Sequence, residues 1–207
     1  MPTRDWLARH EQFVRRRDQG NIDLLFLGDS ITEGWLGEGK ATWDERYAPR
    51  RAANFGIGGD ETQHVLWRIT AGEELEGLAP KLVVLMIGTN NLGNAGHSAD
   101  DTAAGVETLV RTLREKLPGS RLLLLGVFPR DARPGTAFRR DIDAINSRIA
   151  KLADGRHVTF LDVGHVFTEP DGTITPETMP DFLHLSAAAY RTWSDAMEPT
   201  LAKLLHA

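Results

Sequence analysis

Asp23-Leu24-Leu25-Phe26-Leu27-Gly28-Asp29-Ser30-Ile31-Thr32 sets a row of apolar side chains ahead of a small polar turn. A short apolar run that stops at glycine reads as a strand buried on both faces. Four more runs share this form: Arg51 to Phe55, Leu82 to Ile87, Arg121 to Phe128 and Val158 to Leu161. Between them, Thr62 to Ile69, Asp101 to Leu117 and Phe138 to Ala153 carry a helical period, and Arg4 to Arg17 and Ala187 to Leu205 flank the set. Strand and helix in alternation imply βαβ units, hence a parallel sheet covered by helices on both faces. The expected fold is a three-layer α/β/α domain. No repeat, low-complexity tract or linker divides the chain, so residues 1–207 are expected to form a single domain.

Composition narrows the function classes. With 207 residues, 41% of them hydrophobic, the chain can bury a substantial core. A net charge of −5 gives no basic field for nucleic acid or anionic lipid. The absence of cysteine removes disulfides, thiolate metal sites and a cysteine nucleophile. Charges throughout the first 20 residues argue against a signal peptide, and runs such as Leu82 to Ile87 are too short to cross a bilayer. The expectation is a cytoplasmic protein that neither inserts into membranes nor binds nucleic acid.

Ligands of open parallel sheets bind beyond the carboxyl ends of the strands. Those ends are polar here: Gly28-Asp29-Ser30-Ile31-Thr32, Gly56-Ile57-Gly58-Gly59-Asp60 and Gly88-Thr89-Asn90-Asn91, with Pro180-Asp181-Phe182-Leu183-His184 before the last helix. A serine hydroxyl attacks only when a base removes its proton and an acceptor holds that base on its other nitrogen. Ser30, His184 and Asp181 can fill those roles, since Asp and His three apart in a turn lie on one side. Acyl transfer also needs rigid donors for the oxyanion. The N–H groups of Ser30 and Gly59 and the amide of Asn90, from neighbouring strand ends, are the candidates.

Each element has a plainer reading. Gly-Asp-Ser is common turn chemistry, serine there commonly caps a helix, and Asp181 with His184 could be a local hydrogen-bonded pair. The case rests on four blocks falling in order on one edge of one sheet. Asp29 is read as bonding the surrounding backbone, Asn91 as closing its turn, and His64 as a half-buried histidine of a helix. Trp35 and Trp43 are read as packing residues rather than a sugar platform. The remaining histidines lack ligand spacing, so neither a metal nor a cofactor is expected. Asp171-Gly172-Thr173 lacks the further oxygen ligands of a calcium loop and reads as a turn.

The blocks Gly28-Asp29-Ser30-Ile31, Gly59, Gly88-Thr89-Asn90-Asn91 and Asp181-Phe182-Leu183-His184 resemble, in order, those of the SGNH/GDSL hydrolases. Ile31 stands where that motif usually has leucine. The stretch Asn54 to Asp60 with Gln63-His64-Val65-Leu66-Trp67-Arg68 is similar to the catalytic subunits of intracellular type I platelet-activating factor acetylhydrolase. The resemblance implies a flavodoxin-like sheet of order 2-1-3-4-5 and cofactor-free hydrolysis of small carboxylic esters through Ser30, Asp181 and His184. It also implies that Ile31, Thr89 and Leu183 crowd the acyl group and favour a short one, and it is compatible with a homodimer. Loops at Leu36 to Trp43 and Arg130 to Ala137 are expected to border the alcohol side.

Rival readings fit less well. Gly34 to Ala41 has P-loop spacing, but Ala41 replaces the magnesium-binding hydroxyl. Gly58-Gly59-Asp60-Glu61-Thr62 matches a diguanylate cyclase signature but sits between a strand and a helix. The α/β-hydrolases require Gly-x-Ser-x-Gly, and position 32 is threonine. A carbohydrate O-deacetylase, a lysophospholipase or a thioesterase on the same scaffold, or a non-catalytic lipid- or glycan-binding module, are the alternatives.

Overall fold

The computed structural model describes residues 3–206. Strands β1 (Leu24–Gly28), β2 (Ala52–Gly56), β3 (Leu82–Met86), β4 (Arg121–Leu125) and β5 (Val158–Leu161) form one parallel sheet. Its order, β2-β1-β3-β4-β5, is the one the family resemblance implies. The helices are α1 (Arg4–Asp18), α2 (Ser30–Glu33), α3 (Lys40–Arg46), α4 (Thr62–Ile69), α5 (Thr89–Gly93), α6 (Ala99–Lys116), α7 (Ala137–Ile149) and α8 (Ala187–His206).

Successive side chains of a strand face opposite ways, and both faces are apolar here. Leu25, Leu27, Val83 and Leu85 meet Phe13 of α1, Val65 of α4, Val106 of α6 and Ile145 of α7. Leu24, Phe26, Val84 and Met86 meet Trp43 of α3 and Trp193 and Met197 of α8, together with Trp35 and Tyr47. These are the three predicted layers. Because β1 lies between β2 and β3, Gly28 pairs with Gly56 on one side and Met86 on the other. The three most polar strand ends therefore converge.

Two local expectations need correction. Hydropathy carries the fourth strand to Phe128, yet β4 stops at Leu125. The Asn146 side chain of α7 accepts from Val127 N–H at 2.8 Å and donates to its carbonyl at 3.0 Å. An amide thus replaces a strand partner at Val127, and Pro129 has no N–H with which to continue. The segment Leu36 to Trp43, expected as a loop, enters α3 at Lys40. Trp35 and Trp43 are buried around Phe26, as packing residues should be. Gly34 serves that packing rather than a phosphate cradle, for a Cβ there would lie 2.0 Å from the Tyr190 hydroxyl of α8. Asp171 accepts from the Thr173 N–H and hydroxyl at 2.9 and 2.7 Å, the expected turn.

Candidate active site

Ser30 is the first residue of α2, which starts directly where β1 ends. Asp29 makes this abrupt switch possible, since its Oδ1 accepts the Ile31 N–H at 3.0 Å and caps the short helix. The Ser30 hydroxyl is 2.9 Å from His184 Nε2. On the ring's other side, His184 Nδ1 is 2.6 Å from Asp181 Oδ2. Asp181 Oδ1 accepts the N–H groups of Leu183 and His184 at 3.1 and 2.7 Å. One carboxylate oxygen therefore fixes the turn and the other fixes the imidazole. Partial burial pulls the Asp181 carboxyl up, but the hydrogen bonds from the ring and backbone of His184 outweigh this and hold it below its ordinary value. The pair is open to solvent, with side-chain exposures of 45% for His184 and 56% for Asp181.

The donor candidates converge from β2 and β3. Gly59 follows β2, is exposed, and takes φ +80°, a conformation that favours glycine. Asn90 lies in the first turn of α5, and its Nδ2 donates to the Asp60 carbonyl at 3.0 Å. This uses one amide hydrogen and leaves the second. Asn91 does more than close its turn: its Oδ1 accepts from Thr62 N–H and its Nδ2 donates to Thr62 Oγ1, both at 3.0 Å, tying α5 to the start of α4. His64 is half-buried as expected, and its Nδ1 accepts the Glu61 N–H at 3.1 Å.

Asp29 is wholly buried, and its second carboxyl oxygen has no partner. Burial, chiefly, pushes its carboxyl from the ordinary 3.8 up to about 7. Between those values the folded chain keeps a proton that the unfolded chain has lost, so stability falls as pH rises through this window. An Asp29→Asn variant is expected to lack that part of the decline. Urea midpoints at pH 5 and 7 check it, and an equal decline in both proteins would refute it.

The three residues assigned to the acyl pocket lie just after β1, just after β3 and before α8. Ile31 is buried on the α8 side of the sheet and Leu183 packs against that same cluster. Thr89 is buried at the start of α5, where its hydroxyl and carbonyl accept from Arg130 Nη1, each at 3.3 Å. Sequence reasoning missed Arg130 in this role, and it missed the wall contributed by α1. A groove of about 710 Å³ runs between Trp6, Arg9 and Gln12 of α1 and the segment Ile57 to Asp60, with Glu33 on its edge. Glu33 Oε2 accepts the Gly58 N–H at 2.7 Å, and a Cβ on Gly58 would lie 3.8 Å from that of Ser30. The groove therefore approaches Ser30 along Gly58, while its lining does not include Ser30 or His184. No group of three His, Asp or Glu side chains suited to a metal occurs among the described residues, nor is any helix among them long and apolar enough to cross a membrane.

Residues 26–192 match the model of the GDSL-like lipase/acylhydrolase family. The chain belongs to that family. It is 38% identical over 201 residues to platelet-activating factor acetylhydrolase IB subunit alpha1 of Bos taurus, covering 97% of this chain and 84% of that protein. Among solved structures, a GDSL-like lipase of Bacteroides thetaiotaomicron superposes with TM-score 0.76 at 18% identity, covering 95% of this chain and 98% of that one. A catalytic mutant of the acetylxylan esterase Axe2 of Geobacillus stearothermophilus superposes with TM-score 0.67 at 19% identity, covering 90% and 94%. At those identities the two structures speak for the fold. As a GDSL acylhydrolase, the chain is an ester-cleaving enzyme. Its segment α1 lies outside the matched residues.

Proposed function

We propose that this acylhydrolase cleaves carboxylic esters of short acyl groups through an acyl-enzyme on Ser30. The observation that carries the reading is the unbroken chain from Ser30 Oγ to His184 Nε2 at 2.9 Å and from His184 Nδ1 to Asp181 at 2.6 Å. With the ring proton on Nδ1, facing the carboxylate, Nε2 accepts the hydroxyl proton as Ser30 attacks the ester carbonyl. The oxyanion is held by the N–H groups of Ser30 and Gly59 and by the free amide hydrogen of Asn90. His184 then protonates the leaving alcohol, and a water repeats the steps to release the acid and restore Ser30.

A short acyl group suits the burial of Ile31, next to Ser30 in the chain, and of Thr89, and the word acetylhydrolase in the name of the bovine relative supports it. Acetyl to butyryl p-nitrophenyl esters are expected to outpace the decanoyl ester in kcat/KM. A profile that peaks at long chains would overturn the short-acyl assignment.

For the alcohol, the groove beside α1 favours a second, more specific reading, a carbohydrate O-deacetylase. Its walls mix one indole, Trp6, with the planar polar side chains of Arg9, Gln12 and Glu33, and Arg9 and Glu33 form an ion pair at 3.5 Å. Paired charges and one aromatic face suit a polyhydroxylated alcohol better than a hydrocarbon tail. Acetylated xylan, lysophospholipid and acyl-CoA, assayed side by side, separate these substrates.

A further inference from the structure

We infer that Asp60, clamped by Trp6 of α1 and Arg68 of α4, is a positioning residue that aims both strand-end oxyanion donors, Gly59 and Asn90. This rests on the proposed acyl-enzyme reading of Ser30. Gly59 has little to hold it directly: the residue is exposed, and no atom lies within 4 Å of where its Cβ would be. Its orientation must therefore come from its neighbours in the chain. On one side, Gly58 is tied to Glu33. On the other, Asp60 is fully buried and makes ties in four directions.

The Asp60 N–H donates to the Ile57 carbonyl at 3.2 Å, closing the turn that contains Gly59. Its carbonyl accepts from Asn90 Nδ2 at 3.0 Å. Because an amide is planar, this bond fixes the direction of the remaining Asn90 N–H. Its carboxylate accepts from Trp6 Nε1 at 2.6 Å through Oδ1 and from Arg68 Nη1 at 2.5 Å through Oδ2. One residue thus joins the two donors covalently and by hydrogen bond, and its side chain is gripped from two helices.

The grip is itself anchored. Arg68 is fully buried and also donates to both oxygens of Glu74, at 2.9 and 3.0 Å, and to the Phe55 carbonyl at 2.5 Å. Glu74 meets His10 of α1 at 2.7 Å. The guanidinium also keeps the Asp60 carboxylate from opposing the charge that develops on the oxyanion. Trp6 lies outside the catalytic groups and outside the residues matched by the family model, but it also lines the groove beside α1, so Asp60→Asn carries the test together with it.

Trp6→Phe removes one N–H but keeps an aromatic ring against His10 and Trp67, whose rings stand 5.9 and 5.6 Å away. Loss of a whole oxyanion donor typically costs about 100-fold to 1,000-fold in kcat, so loosened aim should cost about tenfold. On p-nitrophenyl acetate, which carries no sugar for the groove beside α1 to hold, the expected result is that loss in kcat with KM changed by less than about twofold, as befits an interaction made in the transition state. Affinity for a trifluoromethyl ketone, which forms a tetrahedral adduct on serine, should fall in the same proportion. Asp60→Asn should move both readouts the same way, because its amide can accept from Trp6 or Arg68 but not from both. Trp67→Phe, which removes no bond to Asp60, should change neither.

A purely stabilising network would lower the melting temperature of Trp6→Phe and leave kcat and inhibitor affinity at 25 °C untouched. That result, or a change confined to KM, overturns the inference. Ser30→Ala run in parallel keeps the two levels apart. If Ser30→Ala hydrolyses like the parent, the acyl-enzyme reading fails; if it is inert while Trp6→Phe and Asp60→Asn behave like the parent, only the role of Asp60 falls.

Discussion

Replacing Ser30 with alanine is expected to leave a folded protein whose ester turnover is lower by about 10⁵-fold or more, the scale seen when a serine nucleophile is removed from a triad. The fold should tolerate the change because the cap of α2 is the Asp29 carboxylate rather than the serine hydroxyl. The substitution removes one oxygen from a half-buried side chain and creates no large cavity. Thermal unfolding together with p-nitrophenyl acetate hydrolysis measures both halves of the claim, and a fluorophosphonate should label the parent but not the variant. A folded Ser30→Ala protein with activity near that of the parent would remove the nucleophile from the mechanism. Loss of activity accompanied by unfolding would reassign Ser30 to the fold, as part of the strand-to-helix turn.

What the sequence made legible is what local periodicity and strand-end chemistry encode. All five strands read as short apolar runs, although β5 at the sheet edge is only half-buried beyond Val158, and α4 has the predicted bounds Thr62–Ile69. The meeting of Ser30, His184 and Asp181 was legible because each belongs to a short block at a strand end or before a helix. Illegible features depend on partners far apart in the chain. Trp6 and Asp60 are separated by 54 positions, and neither has a local pattern announcing the bond between them. The end of β4 is set by Asn146, a residue of the next helix that reads as an ordinary polar position. The short helices α2, α3 and α5 have at most seven residues and owe their shape to caps and tertiary packing rather than propensity. Trp43 illustrates this, since its burial against Phe26 decides a segment that composition alone presents as a loop.

A cap, a turn and a clamp surround the proposed nucleophile, and each uses a carboxylate differently. Asp29 is sealed away with one unpartnered oxygen, and burial pushes its carboxyl up to about 7. Asp60 is buried too, but an arginine and an indole take up both of its oxygens. Asp181 alone faces water, and only Asp181 touches the histidine beside Ser30. Exposure does not disqualify it, for what an orienting carboxylate must supply is geometry, and its turn supplies that through two backbone N–H groups.

The second large effect follows from that turn. In Asp181→Asn the Leu183 and His184 N–H groups still demand an acceptor, so the amide oxygen takes the Oδ1 place and the NH₂ group faces His184 Nδ1. An NH₂ group donates, which turns Nδ1 into an acceptor and moves the ring proton to Nε2. The imidazole then presents a donor to the Ser30 hydroxyl and cannot take its proton. Turnover is expected to fall by about 10⁴-fold, the cost of the wrong tautomer in a serine triad, while the turn and the melting temperature stay close to those of the parent. Steady-state kinetics on p-nitrophenyl acetate provide the measurement. An Asp181→Asn enzyme within about tenfold of the parent would mean that the carboxylate does not select the tautomer. Its hydrogen bond to His184 would then serve the loop between Pro180 and Leu185 alone.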